Sequence, residues 1–214
     1  MMNTVKLFQG KGKSALNYMN KHYGEKFNDR FTLVNLEPAG FTSAADNLVM
    51  KSAKIQNCFV RVSFLNNRYT TNYIQLQYYQ KYQDYMQNLC ENILGECKIL
   101  YDVFIGTDPV YDENTSFEDF LFTDRSLKKI LVFTPDLNNM DQKITSILKK
   151  LEEENIPLGG IHIKILDNYE DAKAFKHIND WANYENSNYS NVKGFIVYDF
   201  NRDYTVRLKK EDRF

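Results

Sequence analysis

Apolar and aromatic residues recur three and four apart at Tyr79, Tyr82, Met86, Leu89 and Ile93. That spacing puts them on one face of an α-helix and turns Gln80, Lys81, Gln83, Asp84, Gln87 and Asn88 to water. The pattern predicts one long helix from Tyr73, capped by Thr71 or Asn72 and ended by Gly95 in a left-handed conformation. After the stop, Ile99, Tyr101, Val103 and Ile105 alternate with Leu100, Asp102 and Phe104, the mark of a strand buried on both faces that runs to Gly106. A helix of this length needs a sheet or a helix pair to cover its stripe, and the residues before it supply strands. Phe31 to Glu37 alternates and is broken by Pro38 and Gly40; Asn47 to Ala53 and CFVRVSFL follow, the last closing on a turn at Asn66-Asn67. Ahead of them Ser14 caps a first helix with Leu16, Met19 and Tyr23 on one face and Gly24 as its stop.

Beyond Arg125 the periods alternate. KKILVFTP reads as a strand. Asn139 and Gln142 form a capping box for a helix whose inner face is Ile144, Ile147, Leu148 and Leu151, ending before Pro157. GGIHIKILD is a strand, with Gly159-Gly160 as a tight turn before it. YEDAKAFKHINDWANY is a helix with Phe175, Ile178, Trp181 and Ala182 inward, and KGFIVYDF with YTVRLKK closes as a hairpin around Asn201-Arg202. The fold class is α+β. Residues 1–13 are a disordered lead-in, 14–106 a helix–strands–long helix–strand half, 107–127 an acidic linker, and 128–214 an alternating strand/helix half. The two halves form either separate units or one continuous domain.

Composition narrows the function classes. With 214 residues the chain buries roughly 70% of its unfolded surface and needs neither disulfide nor metal to fold. A net charge of −1 gives no electrostatic pull toward nucleic acid or anionic lipid, so neither is an expected partner. Cys58, Cys90 and Cys97 are an odd count with no CxxC, and read as small buried hydrophobes; Cys90 and Cys97 flank one turn, which leaves a pairing open. No run is long enough to cross a membrane as a helix. The opening MMNTVKLFQGKGKS is either a genuine start or what remains after a signal or lipid-anchor segment is removed.

The candidate chemistry is sparse. His162 shares a strand face with Lys164, His177 sits on the polar flank of its helix beside Lys173 and Asp180, and His22 borders an apolar face. None has a His or Glu partner at metal-ligand spacing, so each reads first as exposed or structurally bonded. Two acidic runs imitate calcium loops, Asp112-Asn114-Ser116 and Asp199-Asn201-Asp203. The positions that require Gly and a carboxylate hold Phe117 and Thr123 in the first, Tyr204 and Lys210 in the second. There is no GxSxG, Walker A or GxGxxG pattern, and no cofactor or metal is expected. Asn114-Thr-Ser and Asn188-Tyr-Ser are sequons of the kind an Asn-rich chain produces by chance. What remains is a candidate partner surface: Tyr78 and Tyr85 from the tyrosine-rich helix, with Asp112, Glu113, Glu118 and Asp119 from the acidic stretch.

The segment ALNYMNKHYGEKF, with the YIQLQYYQKYQDYMQNL helix and the acidic SFEDFL, resembles a group of small exported or lipid-anchored proteins of gut Firmicutes. Their opening pattern, A-L-x-Y-L-x-x-K-Y-G-E-x-F after a signal peptide, is matched here by Ala15, Leu16, Tyr18, Tyr23, Gly24, Glu25 and Phe27, with Met19 for the Leu and His22 for the Lys. The likeness is clearest over residues 14–127. It implies a cell-surface location and carries no catalytic residues; membrane attachment would come only through a removed N-terminal anchor. Three readings follow. The first is a non-enzymatic extracytoplasmic module binding a protein or envelope ligand. The second is a cytoplasmic partner-binding protein, immunity-type or encoded by a mobile element. The third is a hydrolase using His162 or His177.

Overall fold

The computed structural model describes residues 2–37, 46–56, 58–65, 68–102, 111–123, 128–201 and 203–213. The expected turns at Pro38–Gly40 and Asn66-Asn67, the strand residues after Asp102, the acidic positions Asp108 and Asp124, and Arg202 lie outside them. The fold is α+β, with helix and strands first, alternation later, and a closing hairpin. The chain divides into two compact units. One holds residues 1–78 and 105–116; the other holds 79–104 and 117–214.

The first unit opens with α1 (Met2–Met19), which begins well ahead of the expected cap at Ser14. It runs on through one turn of π-helix at Asn20–Gly24 into a last turn, α2 (Glu25–Phe27). Gly24 is therefore not the stop. It keeps helical angles, and a Cβ there would sit 3.1 Å from the Asp29 carbonyl oxygen. Asn28, at φ 49°, ends the helix instead. The buried stripe is Gly12, Ala15, Met19 and Tyr23, while Leu16 is only half-buried. Four strands follow as an antiparallel meander: β1 (Phe31–Glu37), β2 (Asp46–Ser52), β3 (Val60–Leu65) and the short β4 (Arg68–Thr71), which the sequence reading lacked. The sheet buries Leu48, Met50, Val60 and Val62, and α1 approaches it where Gly12 lies against Leu33 and Leu48. Phe59, just ahead of β3, is half exposed. The unit's helix α3 (Tyr73–Gln77) starts at Asn72, whose side chain does not cap it. That side chain accepts from the Arg61 N–H at 2.8 Å, and the Thr71 hydroxyl accepts from the Tyr73 N–H at 3.2 Å.

Asp29 organises this unit. Its carboxylate, 6% exposed, accepts from Ser52 Oγ (2.5 Å), Tyr73 Oη (2.9 Å) and the N–H groups of Arg30 (2.7 Å), Ala53 (3.0 Å) and Lys54 (3.2 Å). Burial alone would raise its pKa, but these donors hold it below the ordinary value of 3.8.

The expected single helix is interrupted at Tyr78, and α4 (Tyr79–Leu94) belongs to the second unit. Tyr79, Tyr82, Met86, Leu89, Cys90 and Leu94 are buried along it, whereas Ile93 is half-buried. Gly95, at φ 78°, ends it as expected. Then come β5 (Lys98–Asp102), α5 (Phe117–Phe122), β6 (Lys129–Phe133), α6 (Met140–Glu153), β7 (Gly160–Leu166), a 3-10 segment at Tyr169–Ala174, α7 (Ile178–Ser187), β8 (Val192–Phe200) and β9 (Val206–Arg213). The strands form one sheet in that order, antiparallel except for β6 and β7, which pair parallel across the α6 crossover. On one face, Tyr82 of α4 meets Tyr101 at 4.6 Å between ring centroids, and Tyr198 donates to Asp141 of α6 at 2.7 Å. On the other, Leu100, Leu131 and Phe133 pack with Ala172, Phe175, Trp181 and Val192.

Three local expectations fail in this unit for identifiable reasons. The Asn139–Gln142 capping box does not form. Asn139 sits at φ 54° without a side-chain cap, and α6 ends through Asn155 at φ 56° and a bond from the Ile156 N–H to the Leu151 carbonyl at 2.8 Å. The helix predicted over 169–184 is broken at Phe175–His177, which leaves Ala182 exposed. Gly160 lies inside β7 rather than in a turn, because a Cβ there would come within 2.9 Å of Asp199 Oδ1 and the Tyr198 carbonyl oxygen.

Candidate functional site

The histidines resolve into three different jobs. His22 Nδ1 lies 2.7 Å from Glu113 Oε1. Burial would raise the Glu113 carboxyl, but this bond, a backbone N–H and the charges of His22 and Lys26 together hold the group below its ordinary range. His177 is the N-cap of α7: its Nδ1 accepts from the Asn179 N–H at 3.2 Å, and Asp180 accepts from the His177 N–H at 2.9 Å. His162 differs from both. Its Nε2 is buried without a hydrogen-bond partner, 3.8 Å from Asp199 Oδ1, and that oxygen is already taken by Lys129 Nζ at 2.9 Å.

His162 and Asp199 belong to a charged strip on the sheet of the second unit. The register sets Asp102, Lys129, Gly160 and Asp199 side by side across four strands, with His162 one step along the same face. Burial, then Lys129, pushes the His162 imidazole below its ordinary value, and burial pushes the Asp102 carboxyl above its own. Lys129 serves Asp199, Arg207 approaches it at 3.4 Å, and Lys164 pairs with Glu185 at 3.2 Å. With the imidazole neutral, the cations Lys129, Lys164 and Arg207 offset the anions Asp102, Asp199 and Glu185. The strip behaves as an internal ion network. Among the described residues, no group of His, Cys, Asp and Glu is arranged to hold a metal. The thiols are poor nucleophiles: burial pushes Cys58 up to about 11 and Cys97 up to about 12, and raises Cys90 as well. Cys90 and Cys97 do not pair with one another.

The residues of the expected partner surface are divided between the two units. Within the first unit, Tyr78 is half-buried and donates to the Thr115 carbonyl at 2.9 Å. Asp112 closes its own turn on the Asn114 N–H at 2.8 Å, and Glu113 is held by His22. Glu118 and Asp119 are exposed on the first turn of α5, in the second unit. Tyr85, also in the second unit, hydrogen-bonds the Glu154 carboxylate.

That last contact marks an open groove between α4 and α6, about 450 Å³ in volume. Tyr85, Leu89 and Ile93 recur every four residues along α4 and form its floor; Asn88 and Asn92 form the rim above them. The facing wall is Ser146, Lys149, Lys150, Glu153 and Glu154 of α6. Since Tyr85 meets Glu154 while both helices continue along the groove, they run antiparallel. A second hollow, of about 390 Å³, lies along Gln83 and Gln87. Those two side chains are spent on the edge of the sheet. Gln87 accepts from the Ile99 N–H (2.7 Å) and donates to the Cys97 carbonyl (2.7 Å), and Gln83 accepts from the Tyr101 N–H (3.2 Å). The expectation that both face water is thus wrong, since among the described residues β5 has no strand on that side and recruits glutamines from α4 in its place. Sequence reasoning missed the groove because its two walls are joined only by tertiary packing.

No protein-family model and no curated protein matches this chain. Comparison with solved structures finds a DUF5037 family protein from Ruminococcus gnavus, 10% identical over 90% of this chain and 92% of that one, with a TM-score of 0.46. At that distance no residue role carries across.

Proposed function

We propose that the chain is a non-enzymatic binding module that seats its ligand between α4 and α6, and that it works outside the cytoplasmic membrane. The groove carries this reading. Its floor is apolar, its volume falls in the range of about 300–1,000 Å³ typical of ligand sites, and its rim presents carboxamides and a lysine. The engagement of His22 and His177 in fixed contacts supports a binding role over acid–base chemistry. The location rests on the resemblance of residues 15–27 to exported and lipid-anchored proteins. Screening small molecules and peptides from the cell envelope by amide chemical-shift mapping tests the first part: perturbations should centre on residues 85–93 and 146–154. Shifts centred on the charged strip at His162 and Asp199 would contradict it. Fractionation of the source cells tests the second, with protein in the membrane or medium expected and a purely cytosolic pool refuting it.

A further inference from the structure

The groove is unevenly satisfied along its length, and the unevenness describes its occupant. At the Tyr85 end every charge is engaged. Lys150 Nζ lies 3.1 Å from Glu154 and 3.7 Å from Glu153, and Glu154 also takes the Tyr85 hydroxyl. Ser146 at the other end donates to the Gln142 carbonyl at 3.0 Å. Among the described residues, that leaves Asn88, Asn92 and Lys149 as lining side chains with no partner in the chain. Because the helices are antiparallel, Asn92 and Ile93 lie toward Ser146 and Lys149, away from the two glutamates. One end of the groove is therefore closed, its two carboxylates sharing Lys150 and the Tyr85 hydroxyl. The other offers an uncompensated ammonium beside a carboxamide, with Leu89 and the Tyr85 ring extending from it as an apolar track.

Nine residues of helix from Tyr85 to Ile93 make that track about 12 Å long. We infer that the groove takes a small amphiphilic carboxylate, its anionic head at Lys149 and Asn92 and its hydrocarbon body along Ile93, Leu89 and the Tyr85 ring. The inference rests on the groove being the binding site. An apolar floor alone would accept any hydrocarbon. The unpaired Lys149 sets the sign of the head group at the open end, where a cationic head would meet like charge; the carboxylates at the far end are held by Lys150 and the Tyr85 hydroxyl. The carboxamides at Asn88 and Asn92 add neutral donors and acceptors for polar groups near the head.

Three probes of one chain length separate the possibilities: decanoate, decanol and decylamine, each titrated below its micelle-forming concentration into the full chain and followed by amide shifts and calorimetry. Decanoate should bind most tightly and shift residues 85–93 and 146–154. Lys149→Gln, at an exposed position, should fold normally and weaken decanoate by about fivefold while leaving decanol unchanged. Equal binding of all three probes in the groove, or decanoate affinity indifferent to Lys149→Gln, overturns the carboxylate class and leaves the groove as a binding site. If none of the three perturbs residues 85–93 or 146–154, the carboxylate inference and the groove reading fall together.

Discussion

The two units treat their polar groups in opposite ways. The first gathers them on Asp29, where one buried carboxylate meets two hydroxyls and three backbone N–H groups. The second spreads them out. Gln83 and Gln87 close an edge of the sheet, and Lys128 Nζ donates to the carbonyls of Phe120 (2.5 Å), Leu121 (3.0 Å) and Thr123 (3.3 Å) behind α5. Even so, each unit leaves a buried atom without a hydrogen-bond partner, Gln75 Oε1 in the first and His162 Nε2 in the second, and at the surface of the second Asn88, Asn92 and Lys149 are unpartnered among the described residues. Saturated polar groups rigidify a fold, while unspent ones at a surface groove are free to meet a ligand. The proposed function gives the Asp29 hub a structural role and the α4–α6 face the role of recognition.

The largest effect should come from breaking the hub. Asp29→Ala strands the Tyr73 hydroxyl and several N–H groups and should cost about 3 kcal/mol in denaturant unfolding of the first unit. Its folded pKa is lowered, so the stabilisation is present above the ordinary carboxylate value of 3.8 and is lost as pH falls through the folded one. A loss confined to a few tenths would show that the hub is not what orders this unit.

Gln87→Ala comes next. It removes an acceptor for the Ile99 N–H and a donor to the Cys97 carbonyl, and should destabilise the second unit by about 2 kcal/mol, with faster amide exchange at Ile99. Unchanged exchange there would mean the edge is satisfied by other means. Lys128 gives a smaller, pH-dependent signal. Burial pushes its ammonium down to about 7, so above that pH the folded chain sheds a proton that the unfolded chain keeps until its ordinary 10.5. Stability should therefore rise with pH between about 7 and 9, and Lys128→Met should flatten the rise.

His162 should show the slightest effect. Its folded pKa lies below 6.5, so stability should decline as pH falls from 6.5, before the carboxylates titrate, and His162→Gln should remove part of that decline. His177 is shifted the same way and supplies the remainder. A slope untouched by the substitution would remove His162 from the account.

Much of the fold was legible where period and burial agree. The stripe of Ile144, Ile147, Leu148 and Leu151 is buried as read, Gly95 ends α4, and β1 occupies the residues its alternation marked. The failures share one cause, a tertiary partner overriding local chemistry. Gln83 and Gln87 look like a wet helix flank until β5 is seen to be an edge strand among the described residues. His177 looks like a helix-surface residue until packing of Phe175 and Trp181 against Phe133 breaks the helix and makes it a cap. The His22–Glu113 contact, between residues distant in sequence, was likewise not legible from either segment alone. The groove was the least legible feature: Asn88, Asn92 and Lys149 are ordinary exposed polar residues, and only the pairing of two helices makes them a site.

The central claim is that recognition belongs to the α4–α6 face of the second unit. Amide shift mapping of the full chain with decanoate tests it most directly, comparing the native protein with Lys149→Gln. The account predicts saturable shifts at residues 85–93 and 146–154, a silent first unit, and about fivefold weaker binding in the variant. Shifts centred on the Asp29 unit or on the His162 strip, with residues 85–93 and 146–154 unmoved, would contradict it.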